Sequence, residues 1–404
     1  MAVFMFATGV ENSSPVIASG KRVDEFESCG HYRRWREDFD CVEDQGIRFL
    51  RYGPHLFQTF LGESRFDWAF ADETLGELRK RQITPIADLC HFGVPDWIGD
   101  FQNPDFPELF ASYASAFARR FPWIQLYTPI NEMYICAKFS AMLGLWNECL
   151  KGDRSFVTAL RNIVRGNILA MRAILAVRPD AIFIQSESSE HYHAVTPHEL
   201  PAAQWHNLHR YLSFDLNYGR SVGAPMYQYL MDNGLTREDY DFFEGAAPLR
   251  DRCVLGKDYY PTSEQWVYPD GRVESNGEVL GYSEITRQYH ERYQIPVMHT
   301  ETNIAEGPNG DEAVNWLRKE WANVVRVRDA GVPLVGFCWY SITDQVDWDS
   351  LLTADAGVVN PVGLYDLDRN IRPVGRAYKE MIAAWGGLTP VHSMVLTLPV
   401  AGLR

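Results

Sequence analysis

Eight short runs of apolar and β-branched residues recur along this chain, each followed by a longer stretch of helical character. The runs are Val3–Thr8, Ile47–Tyr52, Thr84–Leu89, Ile124–Ile130, Ala181–Ser186, Cys253–Lys257, Pro296–Thr300 and Pro333–Trp339. Each has the length and composition of a buried strand and ends in polar or aromatic residues. Helices are predicted at His31–Gln45, Asp72–Lys80, Pro104–Arg120, Phe156–Val177, Met226–Asn233, Ser283–Tyr293, Glu312–Ala330 and Val374–Trp385, with Asp153 and Asp311 as N-caps. Serial strand–helix units predict an α/β fold, a single (β/α)8 barrel with its active site at the C-terminal ends of the strands. An open doubly wound sheet would want a glycine-rich phosphate loop after the first strand, and Thr8-Gly9-Val10-Glu11-Asn12 does not supply one. The catalytic barrel is expected to span residues 1–385, with 386–404 a tail of unassigned role. The stretch 190–247 is too long for a simple connection and is expected to build part of a cleft wall.

Composition narrows the function. The 404 residues carry a formal charge of -15 with no long Lys/Arg block, which excludes a nucleic acid or an anionic membrane as partner. Seven dispersed cysteines, without a Cys-x-x-Cys pair, read as reduced thiols and point to the cytoplasm. The apolar start of the chain lacks a basic leader and is read as a first strand, and no apolar run is long enough to span a bilayer.

Two strands end in a glutamate. Leu126-Tyr127-Thr128-Pro129-Ile130-Asn131-Glu132 leads from the fourth strand, and Val297-Met298-His299-Thr300-Glu301 closes the seventh. A carboxylate at the tip of a buried strand is costly unless it has work or partners there. Strands four and seven face each other across a barrel mouth, and a retaining glycosidase needs two carboxyls about 5–5.5 Å apart. One is an ionised nucleophile; the other is an acid that later acts as a base. Arg51 is placed to keep a nucleophile charged, Tyr260 to orient it, and Asn131 to donate to a sugar 2-hydroxyl. His91, Phe92, Trp97, Glu187, Glu190, His191, His193, Asp258, Asn303, Trp339, Tyr340, Asp344, Asp347 and Trp348 crowd the same set of strand ends.

Other chemistries fit less well. His191 and His193 lie two apart beside Glu187 and Glu190, but no further His/Cys set has ligand spacing, so no metal and no other cofactor is expected. No Gly-x-Ser-x-Gly elbow and no cysteine-nucleophile signature occurs. A non-hydrolytic sugar-binding barrel would have lost one carboxylate. A transglycosidase would share every residue named. The expected partner is a small glycoside or oligosaccharide; the oligomeric state stays open.

Ordered motifs along most of the chain resemble glycoside hydrolase family 1, the β-glucosidase and β-galactosidase family. Arg51-Tyr52-Gly53 stands where the family has Arg-Phe-Ser, and His91-Phe92-Gly93-Val94-Pro95 where it has His-Trp-Asp-Leu-Pro. Thr128 to Met133 resembles Thr-x-Asn-Glu-Pro, Asp258-Tyr259-Tyr260 resembles Asn-Tyr-Tyr, and Thr300-Glu301-Thr302-Asn303 resembles Thr-Glu-Asn-Gly. Tyr340 to Trp348 resembles Trp-Ser-Leu-Leu-Asp-Asn-Phe-Glu-Trp, and Arg372 to Tyr378 the closing helix. The resemblance implies a retaining β-glycosidase with Glu132 as acid/base and Glu301 as nucleophile. Substrate-binding residues would be Arg51, His91, Asn131, Tyr260, Trp339, Tyr340, Asp347 and Trp348. The departures fall on glycone recognition. No Gln lies between Glu11 and Pro15, Asp347 replaces a Glu, and a Tyr340 stands for the tryptophan under the sugar unless Trp339 takes its place. A sugar other than glucose, altered at or lacking its 6-hydroxyl, is therefore expected, and a 6-phosphate is not.

Overall fold

The computed structural model describes residues 4–388. Eight parallel strands close into a barrel: β1 (Met5–Gly9), β2 (Phe49–Tyr52), β3 (Thr84–Asp88), β4 (Leu126–Thr128), β5 (Ile182–Gln185), β6 (Cys253–Asp258), β7 (Val297–Glu301) and β8 (Leu334–Trp339). Each pairs with its sequence neighbours, and β8 returns to β1 with Thr8 opposite Trp339. Every predicted strand is present within a few residues. β4 stops at Thr128, short of the expected Ile130, because Pro129 has no N–H to continue the ladder. The expected start at Val3 and most of the tail, 389–404, lie outside the described residues.

Strand alternation sorts the side chains into two cores. Met5, Ala7, Phe49, Ile86, Leu126, Ile182, Ile184, Val254, Met298, Val335, Cys338 and Tyr340 fill the barrel interior. The larger cluster lies between the barrel and its surrounding helices, which run close to their predicted bounds, for example Phe106–Arg120, Asp153–Val177 and Pro373–Trp385. The two predicted N-caps are corrected. Gly152 and Gly310 hold the cap positions at φ 142° and 71°, values that favour glycine, and Asp153 and Asp311 are the first helical residues. Asp153 instead accepts a 2.8 Å hydrogen bond from Tyr229.

The stretch 190–247 folds into elements of its own. Strand His191–Ala194 pairs with Glu264–Val267, and helices Leu200–His209, Leu212–Asn217, Ala224–Asp232 and Arg237–Glu244 follow. It reaches the end of β4 through Tyr134, whose hydroxyl lies 2.8 Å from His209 Nδ1. Among the described residues no helix is long and apolar enough to cross a membrane.

Candidate active site

The C-terminal ends of β2, β3, β4, β6 and β7 bring one charged network together. Arg51, 1% exposed, lies next to the last residue of β2. One of its terminal nitrogens is ion-paired with Glu301. The other donates to Asn131 Oδ1 at 2.6 Å and to Asp88 Oδ2 at 3.2 Å. Burial works against the guanidinium charge, but Glu301 and Asp88 outweigh it and hold its pKa well above the usual value. His91 Nδ1 donates to Asp88 Oδ2 at 2.9 Å, and its Nε2 lies 3.2 Å from Asn131 Nδ2. Tyr260 donates its hydroxyl to Glu301 Oε2 at 2.7 Å. Both oxygens of Glu301 are thus held, one by a cation and one by a phenol.

Glu132 stands in a different environment. The backbone after β4 is strapped down by its amides: Ile130 N–H to Asn167 Oδ1 at 3.2 Å, Asn131 N–H to the Cys90 carbonyl at 3.0 Å, Glu132 N–H to the Ser186 carbonyl at 3.0 Å. Glu132 itself is left-handed at φ 41°, ψ 63°, an uncommon conformation for a non-glycine residue, before helix Met133–Ala137 begins. Burial first, and then the neighbouring acids Asp258, Glu301 and Glu187 as they ionise, push its pKa well above the carboxylate range. The site therefore pairs a carboxylate clamped by an arginine with a carboxyl that holds its proton.

Tyr340 rather than Trp339 faces this cleft. The two follow each other at the end of β8, so they point to opposite sides of the sheet. Tyr340 lies in the barrel interior, its ring 5.1 Å from the Arg51 guanidinium carbon and stacked 6.1 Å from His91. It packs so closely on β1 that a Cβ at Gly9 would stand 2.1 Å from its ring. Trp339 belongs to the outer cluster, is fully buried, and donates Nε1–H to the Val362 carbonyl at 2.9 Å, so its expected substrate role is corrected to a structural one. Asp347 is corrected likewise. Its carboxylate accepts the amides of Ala356, Gly357 and Val358 at 2.8–2.9 Å and pins that loop.

Other residues from the strand ends are mostly engaged elsewhere. Trp348 is half-buried against Phe92 and Trp146. Trp97 donates to the Phe60 carbonyl at 2.7 Å, and Asp344 is held by Arg372. Asn303 donates to the Tyr340 carbonyl at 2.5 Å. His193 is paired with Glu264 at 2.6 Å and Glu190 with Lys138 at 2.8 Å, while the His191 ring packs on His193.

Three participants were not singled out from the sequence. Asp88 joins Arg51 to His91; a charged residue closing an otherwise apolar β3 was its only signal. Glu11 is buried at the end of the β1 loop, accepts from Ser13 N–H and Oγ–H, and takes a 2.9 Å hydrogen bond from Gln345 Nε2. Burial raises the Glu11 pKa, and His91 counters it. The region where the family carries an early Gln thus holds a carboxylate, and the amide comes from the loop after β8.

Comparison with known proteins places this arrangement. Residues 17–214 match the Glycosyl hydrolase family 1 profile. The chain is a glycoside hydrolase, similar to that family over just under half of its length. It is 20% identical over 375 residues to β-glucosidase A of Thermotoga maritima, covering 82% of each chain. It is 20% identical over 377 residues to an aryl-phospho-β-D-glucosidase of Bacillus subtilis, covering 79% of this chain and 78% of that one. The solved β-glucosidase of Thermotoga maritima in complex with castanospermine shares the barrel with a TM-score of 0.80 at 17% identity, covering 96% of this chain and 98% of that chain.

Proposed function

We propose that this glycoside hydrolase is a retaining β-glycosidase with Glu301 as nucleophile and Glu132 as acid/base. The observation that carries the reading is the split between the two glutamates: Glu301 is held by Arg51 and Tyr260, whereas burial and neighbouring carboxylates keep Glu132 protonated. In the first step the Glu301 carboxylate attacks the anomeric carbon while Glu132 gives its proton to the leaving oxygen. Glu301 is then esterified, its negative charge is gone, and Glu132 is a carboxylate able to take a proton from water. Water attacks the anomeric carbon, the ester bond breaks, and the configuration is restored. As the nucleophile loses its charge, Arg51 keeps its links to Asp88 and Asn131, so the framework stays in place.

Glycone recognition differs from that of the glucosidases it resembles. Glu11 with Gln345, a tyrosine beneath the site and an Asp347 occupied by loop amides all favour a sugar altered at or lacking the 6-hydroxyl. Acidic side chains crowd this corner: burial and then Glu11, with Asp347 also nearby, push the Glu25 pKa well above the carboxylate range, so a further anionic group such as a 6-phosphate is disfavoured. Six buried free thiols and a seventh half-buried one support a cytoplasmic location.

The test is initial rates on aryl β-glycosides of gluco, galacto, fuco, xylo and arabino configuration, with the product anomer followed by NMR. Retained product and a preference away from glucose support the reading; inverted product would overturn the mechanism.

A further inference from the structure

A third acid stands between the two catalytic candidates. Asp258 ends β6 where the family motif has Asn, and the strand register sets it opposite Glu301 on β7. It is fully buried. Both of its oxygens lie within hydrogen-bond distance of one hydroxyl, Ser186 Oγ, at 2.9 and 2.7 Å. A hydroxyl has one proton to donate, so Ser186 satisfies one oxygen at a time and favours the ionised acid only weakly. The carbonyl of the same Ser186 accepts the Glu132 amide at 3.0 Å. One serine thus ties Asp258 to the residue proposed as proton donor.

Building on the assignment of Glu132 as acid/base, we propose that Asp258 is a positioning residue that shares the proton of the site with Glu132 and so extends the pH range over which Glu132 can act as an acid. The groups facing Asp258 come from every neighbouring strand end: Arg51, Glu132, Ser186, Lys257, Tyr260, Thr300, Glu301 and Cys338. Arg51 is already committed to Glu301 and Asp88, and Lys257 is itself driven down to about 7, first by burial. Burial and then Glu301 raise Asp258 to about 8. When the pair loses its first proton, the molecules in which it left Asp258 keep Glu132 protonated, and the new charge beside Glu132 strengthens its hold. An asparagine has no proton to give up, so there the first proton lost must be the catalytic one.

The experiment is the pH dependence of kcat/KM for Asp258→Asn, on one substrate with a poor leaving group and one with a dinitrophenyl leaving group. The alkaline limb is expected to move to lower pH by about half a unit or more with the poor leaving group. It should stay put with the dinitrophenyl glycoside, which needs no acid. An unshifted limb in active Asp258→Asn protein overturns the proposal. No turnover by the wild type on any glycoside would instead defeat the assignment of Glu132. Should Asp258→Asn fail to fold, Ser186→Ala serves. The Ser186 hydrogen bond favours ionised Asp258, so its loss keeps Asp258 neutral and shifts the limb the same way; an unmoved limb there overturns the proposal too. Thermal melting gives a readout independent of catalysis. Wild type keeps a proton on folded Asp258 that the unfolded chain releases, so it loses stability as pH rises from about 4 to about 8. The melting temperature of Asp258→Asn relative to wild type should therefore climb across that range, and a constant difference would contradict the raised carboxyl.

Discussion

Replacing Arg51 with lysine keeps the charge and removes the fork, which isolates what geometry contributes. Arg51 is 1% exposed and reaches three side chains: Glu301, Asn131 at 2.6 Å and Asp88 at 3.2 Å. A single ammonium on a shorter, flexible stem can follow Glu301 but cannot span the other two. Bonds from a charged donor contribute about 1.5–3 kcal/mol each, so losing two removes at most about 3–6 kcal/mol. The lower end applies, because Asn131 and Asp88 remain joined through His91 and the losses are not additive. With about 1.4 kcal/mol per decade of rate, kcat/KM should fall on the order of 100-fold. The assay is kcat and KM on an aryl β-glycoside, beside a thermal melt to confirm folding. The fall should lie mainly in kcat, since Glu301 is misplaced for attack and not missing. A folded Arg51→Lys protein within about threefold of wild type would refute the idea that this arginine positions the nucleophile.

Three further outcomes follow. Glu132→Ala should slow glycosides with poor leaving groups by about 10²–10⁴-fold and spare the glycosylation step of dinitrophenyl glycosides, as read in a burst experiment; equal loss on both would count against Glu132 as proton donor. Trp339→Phe leaves the buried Val362 carbonyl without its partner and should cost about 1–3 kcal/mol of stability, with KM unchanged; a raised KM at unchanged melting temperature would return Trp339 to the cleft. Because burial raises the Glu132 pKa, the active acid form is retained above the ordinary carboxyl value of 4.5 and lost as pH rises through the folded value. The alkaline limb of kcat/KM should accordingly lie well above pH 4.5, and a limb centred near that value would mean that Glu132 is exposed to water.

The barrel was legible because each strand is a compact apolar run whose end is marked by a change in residue chemistry. The Arg51, Asn131, Glu132, Tyr260 and Glu301 set was legible for the same reason, since strand ends converge in such a barrel. What failed depended on contacts that no local pattern carries. Asp347 sits in a motif that suggests a sugar ligand, yet the loop at Ala356–Val358 folds back onto its carboxylate. Trp339 and Tyr340 are adjacent, and the parity of β8 decides which one enters the barrel; that parity is fixed by Thr8 opposite Trp339, a pairing across nearly the whole chain. Glu11 looked like an absence in the sequence, and its place in the site rests on Gln345 reaching over from the loop after β8.

The most direct measurement is covalent trapping. A 2-deoxy-2-fluoro glycoside with an activated leaving group, incubated with the enzyme and followed by peptide mass spectrometry, should inactivate it and leave one fluorosugar on Glu301. A label on Glu132, Asp258 or any other carboxylate, or steady turnover without a label, would contradict the assignment of the arginine-held glutamate as the nucleophile.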